Sequence, residues 1–215
     1  MYKNYFKRIC DLVLGLVALI VLSPLFLLLI ISGTIAMKGN PFFVQERPGK
    51  NEKIFKLIKF RTMTNAKDKE GKLLPDDKRN SPYGNFLRKT SLDELGELIN
   101  IIKGDMSIIG PRPLLVRYLP YYTDIERHRH DVRPGLTGWA QVNGRNFISW
   151  EETFELDNFY VDNLSLKLDL KTFCLTIKKV LFHEDITDAT QGTKDSSGRK
   201  VHDALDIERS VKNVI

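Results

Sequence analysis

The sequence predicts an α+β protein that is mainly helical, in which an N-terminal hairpin of apolar helices leads into a folded domain with one short β-hairpin. Three observations carry this prediction. An uncharged run of 26 residues, 12–37, is interrupted near its middle by Ser23-Pro24. Two β-prone runs, 42–47 and 53–61, flank the turn-rich quartet Pro48-Gly49-Lys50-Asn51, the pattern of a hairpin. Beyond residue 90, apolar residues recur at spacings of three and four, the period of a helix with one buried face. A chain of 215 residues, 42% hydrophobic, suits one globular domain plus an extra segment. The expected division is 1–38, 39–182 and a polar tail, 183–215.

The apolar run reaches about 39 Å as a helix, enough to cross a bilayer core of about 30 Å. Proline at its centre removes a backbone donor and bends or breaks the helix. Lys3, Lys7 and Arg8 precede the run, and Lys38, Arg47, Lys50, Lys53 and Lys56 follow it. Basic residues this close to an apolar run mark the cytoplasmic side. Basic flanks at both ends and the central bend, at Ser23 and Pro24, predict a re-entrant membrane hairpin with residues 4 and 51 on the same face. A single spanning helix with a tolerated proline is the alternative. A secretory signal peptide fits poorly, because its apolar core runs only about 7–15 residues. The mean hydropathy of −0.23 excludes a polytopic carrier.

Residues 64–82 are rich in charge and proline and are expected as a mobile surface loop. A helix is expected over 92–103, with Leu92, Leu95, Leu98, Ile99 and Ile102 on one face and Gly104 as its stop. Ser91 and Glu94 form a capping-box pattern at its start. Residues 114–129 read as a helix bent at Pro120, and 133–145 as a glycine-rich loop. Ser149 with Glu152 caps a helix to about residue 163, and after Ser165 an amphipathic helix carries Leu170, Phe173, Cys174, Ile177, Val180 and Leu181.

Charge narrows the function classes. The net charge is +6, yet residues 183–215 hold 7 acidic and 5 basic residues, leaving +8 on residues 1–182. The folded part should favour anionic partners: phosphates, nucleic acid or lipid headgroups. No nucleic-acid recognition pattern is present, and the apolar anchor makes membrane phospholipids or a lipid phosphate the simpler anion. The two cysteines, Cys10 and Cys174, have no partner at metal-ligand spacing, so neither a disulfide framework nor a zinc module is expected. His128-Arg129-His130 reads as a solvated basic patch, since residues i and i+2 of a helix point to different sides. There is no GxxxxGK[ST], no GxGxxG after a strand and no GxSxG elbow.

Asp93 and Glu94 are the leading catalytic candidates. Capping alone accounts for Glu94, and the positive end of the helix dipole partly for Asp93. Arg88 and Lys89 stand just before them, however, and a carboxylate among cations stays ionised and can attack phosphorus to form an acyl phosphate. Gly110-Pro111-Arg112-Pro113 sets Arg112 between two residues of fixed φ, either an anion clamp or a rigid turn with a solvated arginine. The stretch 133–145 brings three glycines, hence close backbone approach to a ligand, between Arg133 and Arg145.

The apolar hairpin with Ser23-Pro24, the run Lys59-Phe60-Arg61-Thr62-Met63, SLDELGELINIIKGDMSIIGPRP at 91–113 and RPGLTGWAQVNGR at 133–145 together resemble the bacterial monotopic phosphoglycosyl transferases over residues 1–182. Within that family the chain looks most similar to the enzymes that transfer phospho-N,N'-diacetylbacillosamine from UDP. The resemblance implies a monotopic enzyme on the cytoplasmic face of the bacterial inner membrane. It would take a UDP-sugar and undecaprenyl phosphate and release undecaprenyl-diphosphate-sugar and UMP. Asp93 would be the nucleophile, and Glu94 its partner in metal binding or proton management. Mg²⁺ held by Asp93 and Glu94 would screen the phosphates, and Lys59, Arg88, Arg112 and Arg145 would supply the remaining positive charge. A second copy of the chain or enzymes of the same pathway are further candidate partners. Two rivals stand beside this reading: a membrane glycosyltransferase that releases UDP, and a non-catalytic lipid-binding scaffold.

Overall fold

A computed structural model describes residues 2–144 and 148–182. In chain order its elements are α1 (Lys7–Val21), α2 (Ser23–Met37), β1 (Phe42–Pro48), β2 (Ile54–Phe60), α3 (Asp76–Arg79), α4 (Pro82–Lys89), α5 (Glu97–Lys103), β3 (Ser107–Ile109), α6 (Asp124–Arg127), β4 (Gly135–Thr137), α7 (Trp139–Asn143), α8 (Trp150–Asp162) and α9 (Leu166–Phe182). The helical α+β class is as expected, and β1 pairs with β2 as the expected hairpin. The chain divides into two units. Among the described residues one comprises 8–46 and 56–106, and the other 2–7, 47–55, 107–144 and 148–182.

In the first unit the apolar run breaks where the sequence places the break. α1 ends at Val21, Leu22 takes the cap position before α2, Pro24 sits in the first turn of α2, where a missing N–H costs nothing, and the two helices are bent by 64°. Ser23 Oγ donates to the Ile20 carbonyl at 2.7 Å, satisfying an acceptor that the break would leave open. Among the described residues no single helix is long and apolar enough to cross a membrane, whereas the bent pair together passes on length and composition. The inner face of α2 contributes Leu29, which joins Phe60 of β2 and Leu87 of α4 in one buried cluster. Phe26 meets Phe60 edge to face, with centroids 5.0 Å apart. On α1, the small Gly15 lies against Ile101 of α5, and Arg8 donates to the carbonyls of Ile101 and Ile102 at 2.6 and 2.7 Å. A cation is thereby placed on the open carbonyls of the last turn of α5. The outward faces of the two helices stay apolar and exposed, among them Val13, Val17, Ile20, Leu27, Leu28 and Ile35.

The second unit is built around a parallel pair, β3 with β4, in register Ser107 to Gly135 and Ile109 to Thr137. Ile109, Val132, Tyr160, Val161 and Leu168 form its core, and Tyr118, Tyr122 and Phe154 a second cluster. Asp169 of α9 is buried and collects three donors: Lys7 Nζ at 2.8 Å, Tyr2 Oη at 2.6 Å and Tyr160 Oη at 2.7 Å. The Ser149–Glu152 capping box forms as expected. Thr123 and Glu126 make another, at the start of α6.

Four local expectations are corrected. Residues 114–129 are not one bent helix; they form a 3₁₀ turn at Val116–Tyr121, α6 and a second 3₁₀ turn at His128–Asp131. Residues 64–82 are not plain loop, since Met63 bridges Asn80, Lys67 bridges Leu73 and α3 lies between. The stretch 133–145 holds β4 and α7, because a parallel partner 28 residues earlier turns a glycine-rich run into a strand. His128-Arg129-His130 is not a solvated patch: Arg129 and His130 are buried, Arg129 against an acidic partner on α8.

Candidate functional site

The end of β2 and the start of α5 come together through a glycine. A Cβ on Gly96 would lie 2.7 Å from the Ile58 carbonyl oxygen and 3.2 Å from the Lys59 Cα, closer than packed atoms tolerate, so only glycine lets the helix start rest on the strand. The chain enters through Ser91, which has a left-handed backbone (φ 55°), and makes a 3₁₀ turn at Leu92–Gly96 before α5. The expected capping box is absent there, because in this conformation the Ser91 side chain makes no cap hydrogen bond. Glu94 is held elsewhere: its Oε1 lies 2.9 Å from Lys59 Nζ, and the buried Glu97 offers a second carboxylate oxygen at 3.0 Å. Lys59 thus bridges two glutamates.

Glu97 was not foreseen as part of the site. Its separation of three from Glu94 was the readable signal, since i and i+3 share a helix face. Lys59, expected on a substrate phosphate, is brought to Glu94 and acts on carboxylates. Asp93, on the same 3₁₀ turn, is half-buried. Arg88 closes α4, where a cation favours the helix dipole. Its Nε donates to Thr62 Oγ1 at 3.1 Å and its Nη1 to Asn80 Oδ1 at 3.3 Å. The last turn of α4 is therefore tied to Thr62, in the Lys59–Met63 run that the sequence singled out. Gly84 of α4 makes this possible, since a Cβ there would overlap the Thr62 carbonyl oxygen at 1.7 Å.

Arg112 belongs to the other unit and is exposed, while Arg145 lies outside the described residues. The turn carrying Arg112 is interlocked with the glycines of the 133–145 stretch. A Cβ on Gly135 would fall 2.1 Å from the Gly110 nitrogen, and one on Gly138 2.3 Å from the Gly110 carbonyl oxygen. Gly110 N–H donates to the Thr137 carbonyl at 2.9 Å and Gly135 N–H to the Pro111 carbonyl at 3.0 Å. Gly135 and Gly138 were expected to admit a ligand; they admit the backbone of Gly110 instead.

Below this turn, Arg129 donates through Nε and Nη2 to Asp157 Oδ2 at 3.0 and 2.6 Å, with both side chains almost wholly buried. Burial disfavours both charges, pulling Arg129 down and Asp157 up, and the attraction of Asp157 returns Arg129 above its ordinary value. His130 is held down to about 4, first by burial and then by the neighbouring Arg129. His128 faces the other way. Its Nδ1 lies 2.8 Å from Asp131 and its Nε2 2.8 Å from Asp162. Its pKa is raised, chiefly by the hydrogen bond with Asp162.

Among the described residues, no three His, Cys, Asp or Glu side chains gather into a metal cage. The adjacent carboxylates Asp93 and Glu94 nevertheless suit Mg²⁺, which takes one or two protein carboxylates and fills its remaining positions with phosphate oxygens and water.

The sequence profile described as Bacterial sugar transferase matches residues 2–183. The chain belongs to this family. It is 52% identical over 180 residues to the uncharacterized sugar transferase EpsL of Bacillus subtilis, covering 84% of this chain and 89% of that protein. It is 37% identical to the UDP-glucose:undecaprenyl-phosphate glucose-1-phosphate transferase of Escherichia coli K12, covering 80% of this chain and 39% of that one. With the undecaprenyl-phosphate galactose phosphotransferase of Salmonella typhimurium the identity is 36%, over 83% of this chain and 41% of the relative. The chain thus spans about two-fifths of the two relatives named for a substrate, and most of EpsL.

Proposed function

We propose that this protein transfers a sugar 1-phosphate from a UDP-sugar to undecaprenyl phosphate, giving undecaprenyl-diphosphate-sugar and UMP. The observation that carries the reading is the Asp93–Glu94 pair on its 3₁₀ turn, with Lys59 holding Glu94, in a member of a family whose relatives are named for this transfer. Two phosphate compounds repel each other in one small site, and a two-step route keeps them apart in time. An Asp93 carboxylate oxygen attacks the sugar-linked phosphorus, the bond to the UMP oxygen breaks, and UMP leaves. A phosphate oxygen of undecaprenyl phosphate then attacks the same phosphorus and frees Asp93. Glu94 is given the partner's part, its carboxylate lying 2.9 Å from the Lys59 ammonium. When bound, Mg²⁺ on Asp93 and Glu94 would screen the negative charge of the phosphates. Arg88, Arg112 and Arg145 are the candidate phosphate ligands, while Lys59 orients Glu94.

The bent α1–α2 pair is assigned to the cytoplasmic leaflet of the bacterial inner membrane, entering and leaving on one side. Its exposed apolar faces, the 64° bend and the basic residues at both ends support this. As the donor, UDP-N,N'-diacetylbacillosamine or another N-acetylated sugar is proposed on the motif resemblance. The relatives named for glucose and galactose make UDP-glucose and UDP-galactose the competitors.

The test incubates the full chain with each UDP-sugar and Mg²⁺ and identifies the released nucleotide. UMP with undecaprenyl phosphate present, and a phosphosugar adduct on the peptide containing Asp93 when the lipid is withheld, are expected. Asp93→Asn, which keeps the shape and removes the nucleophile, should abolish both. Release of UDP would establish the glycosyltransferase alternative, and substantial turnover by Asp93→Asn would reduce Asp93 to a metal ligand.

A further inference from the structure

The turn Pro111-Arg112-Pro113 cannot bond to itself in the usual way, because two of its three residues lack an N–H. Its three carbonyls are each held from outside. Pro111 O accepts from Gly135 N–H at 3.0 Å, Arg112 O from Arg129 Nη2 at 2.8 Å, and Pro113 O from Arg47 Nη1 at 3.2 Å. The middle contact comes from the buried Arg129, whose guanidinium is fixed by Asp157 and lies over the Phe154 ring, 5.5 Å from its centroid.

A fully buried ion pair is a poor stabilising device. The desolvation of two charges offsets most of their attraction, and apolar residues of similar size in its place often leave stability unchanged or improved. Here the pair delivers something apolar residues would not: a rigid donor, preset in direction, on the carbonyl of Arg112. With φ fixed on either side by proline and the carbonyl fixed from below, the exposed Arg112 side chain leaves the backbone in a set direction. This lowers the ordering entropy that binding an anion would otherwise cost.

We propose that Arg129 and Asp157 are positioning residues for Arg112, holding the Pro111–Pro113 turn so that the Arg112 guanidinium is preorganised for a phosphate of the nucleotide donor. The proposal rests on Arg112 being a phosphate ligand, as read above.

The test replaces the pair by apolar residues, Arg129→Met with Asp157→Leu, in the full chain, alone and together with Arg112→Lys. UDP affinity is measured by calorimetry, and KM and kcat by UMP release. The exchange variant should keep the wild-type melting temperature within a few degrees. Its UDP Kd and the KM for UDP-sugar should rise about tenfold, the worth of one charge-assisted hydrogen bond, with kcat changed less than about threefold. In the Arg112→Lys background the same exchange should change Kd by less than about twofold, since the residue it acts through has already lost its planar fork. An unchanged Kd in the folded exchange variant, or an equal rise in both backgrounds, overturns the proposal. If the exchange variant does not fold, Arg129→Lys carries the test, because it keeps a cation for Asp157 and loses the fixed second donor. A wild-type UDP Kd retained there overturns the proposal equally. A wild type that binds UDP with this dependence but never releases UMP would sink the proposed reaction and leave the positioning role standing.

Discussion

His130 should make this protein acid-sensitive, and replacing it by leucine should remove that sensitivity. The ring is 6% exposed, packs 5.4 Å from the Tyr122 centroid, and neither ring nitrogen has a hydrogen-bond partner. Glu52 Oε1 lies 3.8 Å from Nδ1, beyond hydrogen-bond reach. Burial and the adjacent Arg129 lower its pKa from 6.5 to about 4. In the unfolded chain the imidazole takes a proton as the pH falls through 6.5, while in the fold it does not until about 4. The unfolded state therefore binds more protons in that window, and stability falls with pH. By pH 4.5 the loss from this one group is about 2.5 kcal/mol, or roughly 5–10 °C in melting temperature for a domain of this size. His130→Leu keeps an apolar body beside Tyr122 and has nothing to protonate. Near pH 7.5 the variant should melt within a few degrees of the wild type. Between pH 7 and 4.5 the wild type should lose about 5–10 °C more than the variant; carboxylates titrating in the same range act on both proteins and cancel in the difference. His128 contributes with the opposite sign, since its raised pKa adds stability that is complete below pH 6.5 and lost as the pH rises through its folded value. Equal acid losses in the wild type and His130→Leu, followed by thermal melting in detergent, would refute the reasoning.

Lys59→Met withdraws the ammonium from between Glu94 and the buried Glu97, so the variant should melt lower by an amount matching about 2–3 kcal/mol as well as lose turnover. A higher KM with unchanged melting would return Lys59 to a direct phosphate contact. Gly138→Ala requires no change of backbone region, as φ is −156°, but its methyl group would sit 2.3 Å from the Gly110 carbonyl oxygen. Overpacking of about 1–3 kcal/mol and a displaced Arg112 turn should appear as a lower melting temperature and weaker UDP binding. For topology, cysteines placed at positions 4 and 51 of a chain lacking Cys10 and Cys174 should both be protected from a periplasmic reagent; reactivity at position 4 alone would establish a spanning helix. Replacing Ser23-Pro24 by Ala-Leu should shift the labelling toward spanning and abolish activity.

What the sequence determined by itself is what neighbouring residues determine. The Ser23-Pro24 break is written in a missing N–H, α8 in the Ser149–Glu152 box, α9 in its apolar spacing and the hairpin in the quartet at 48–51, because each depends on partners within a few positions in the chain. The pairing of Asp93 with Glu94 was legible for the same reason. Tertiary structure decided the rest. Ser91 looked like a cap until β2 brought Lys59 to Glu94 and Gly96 let α5 rest on Ile58. The glycines of the 133–145 stretch looked like room for a ligand until the parallel strand at 107–109 placed Gly110 against them. Arg129 looked like surface charge, and only Asp157, 28 residues further on, makes its burial tolerable. A charge or a glycine states that space or compensation is needed at its position; which distant atom supplies it is a property of the packed chain.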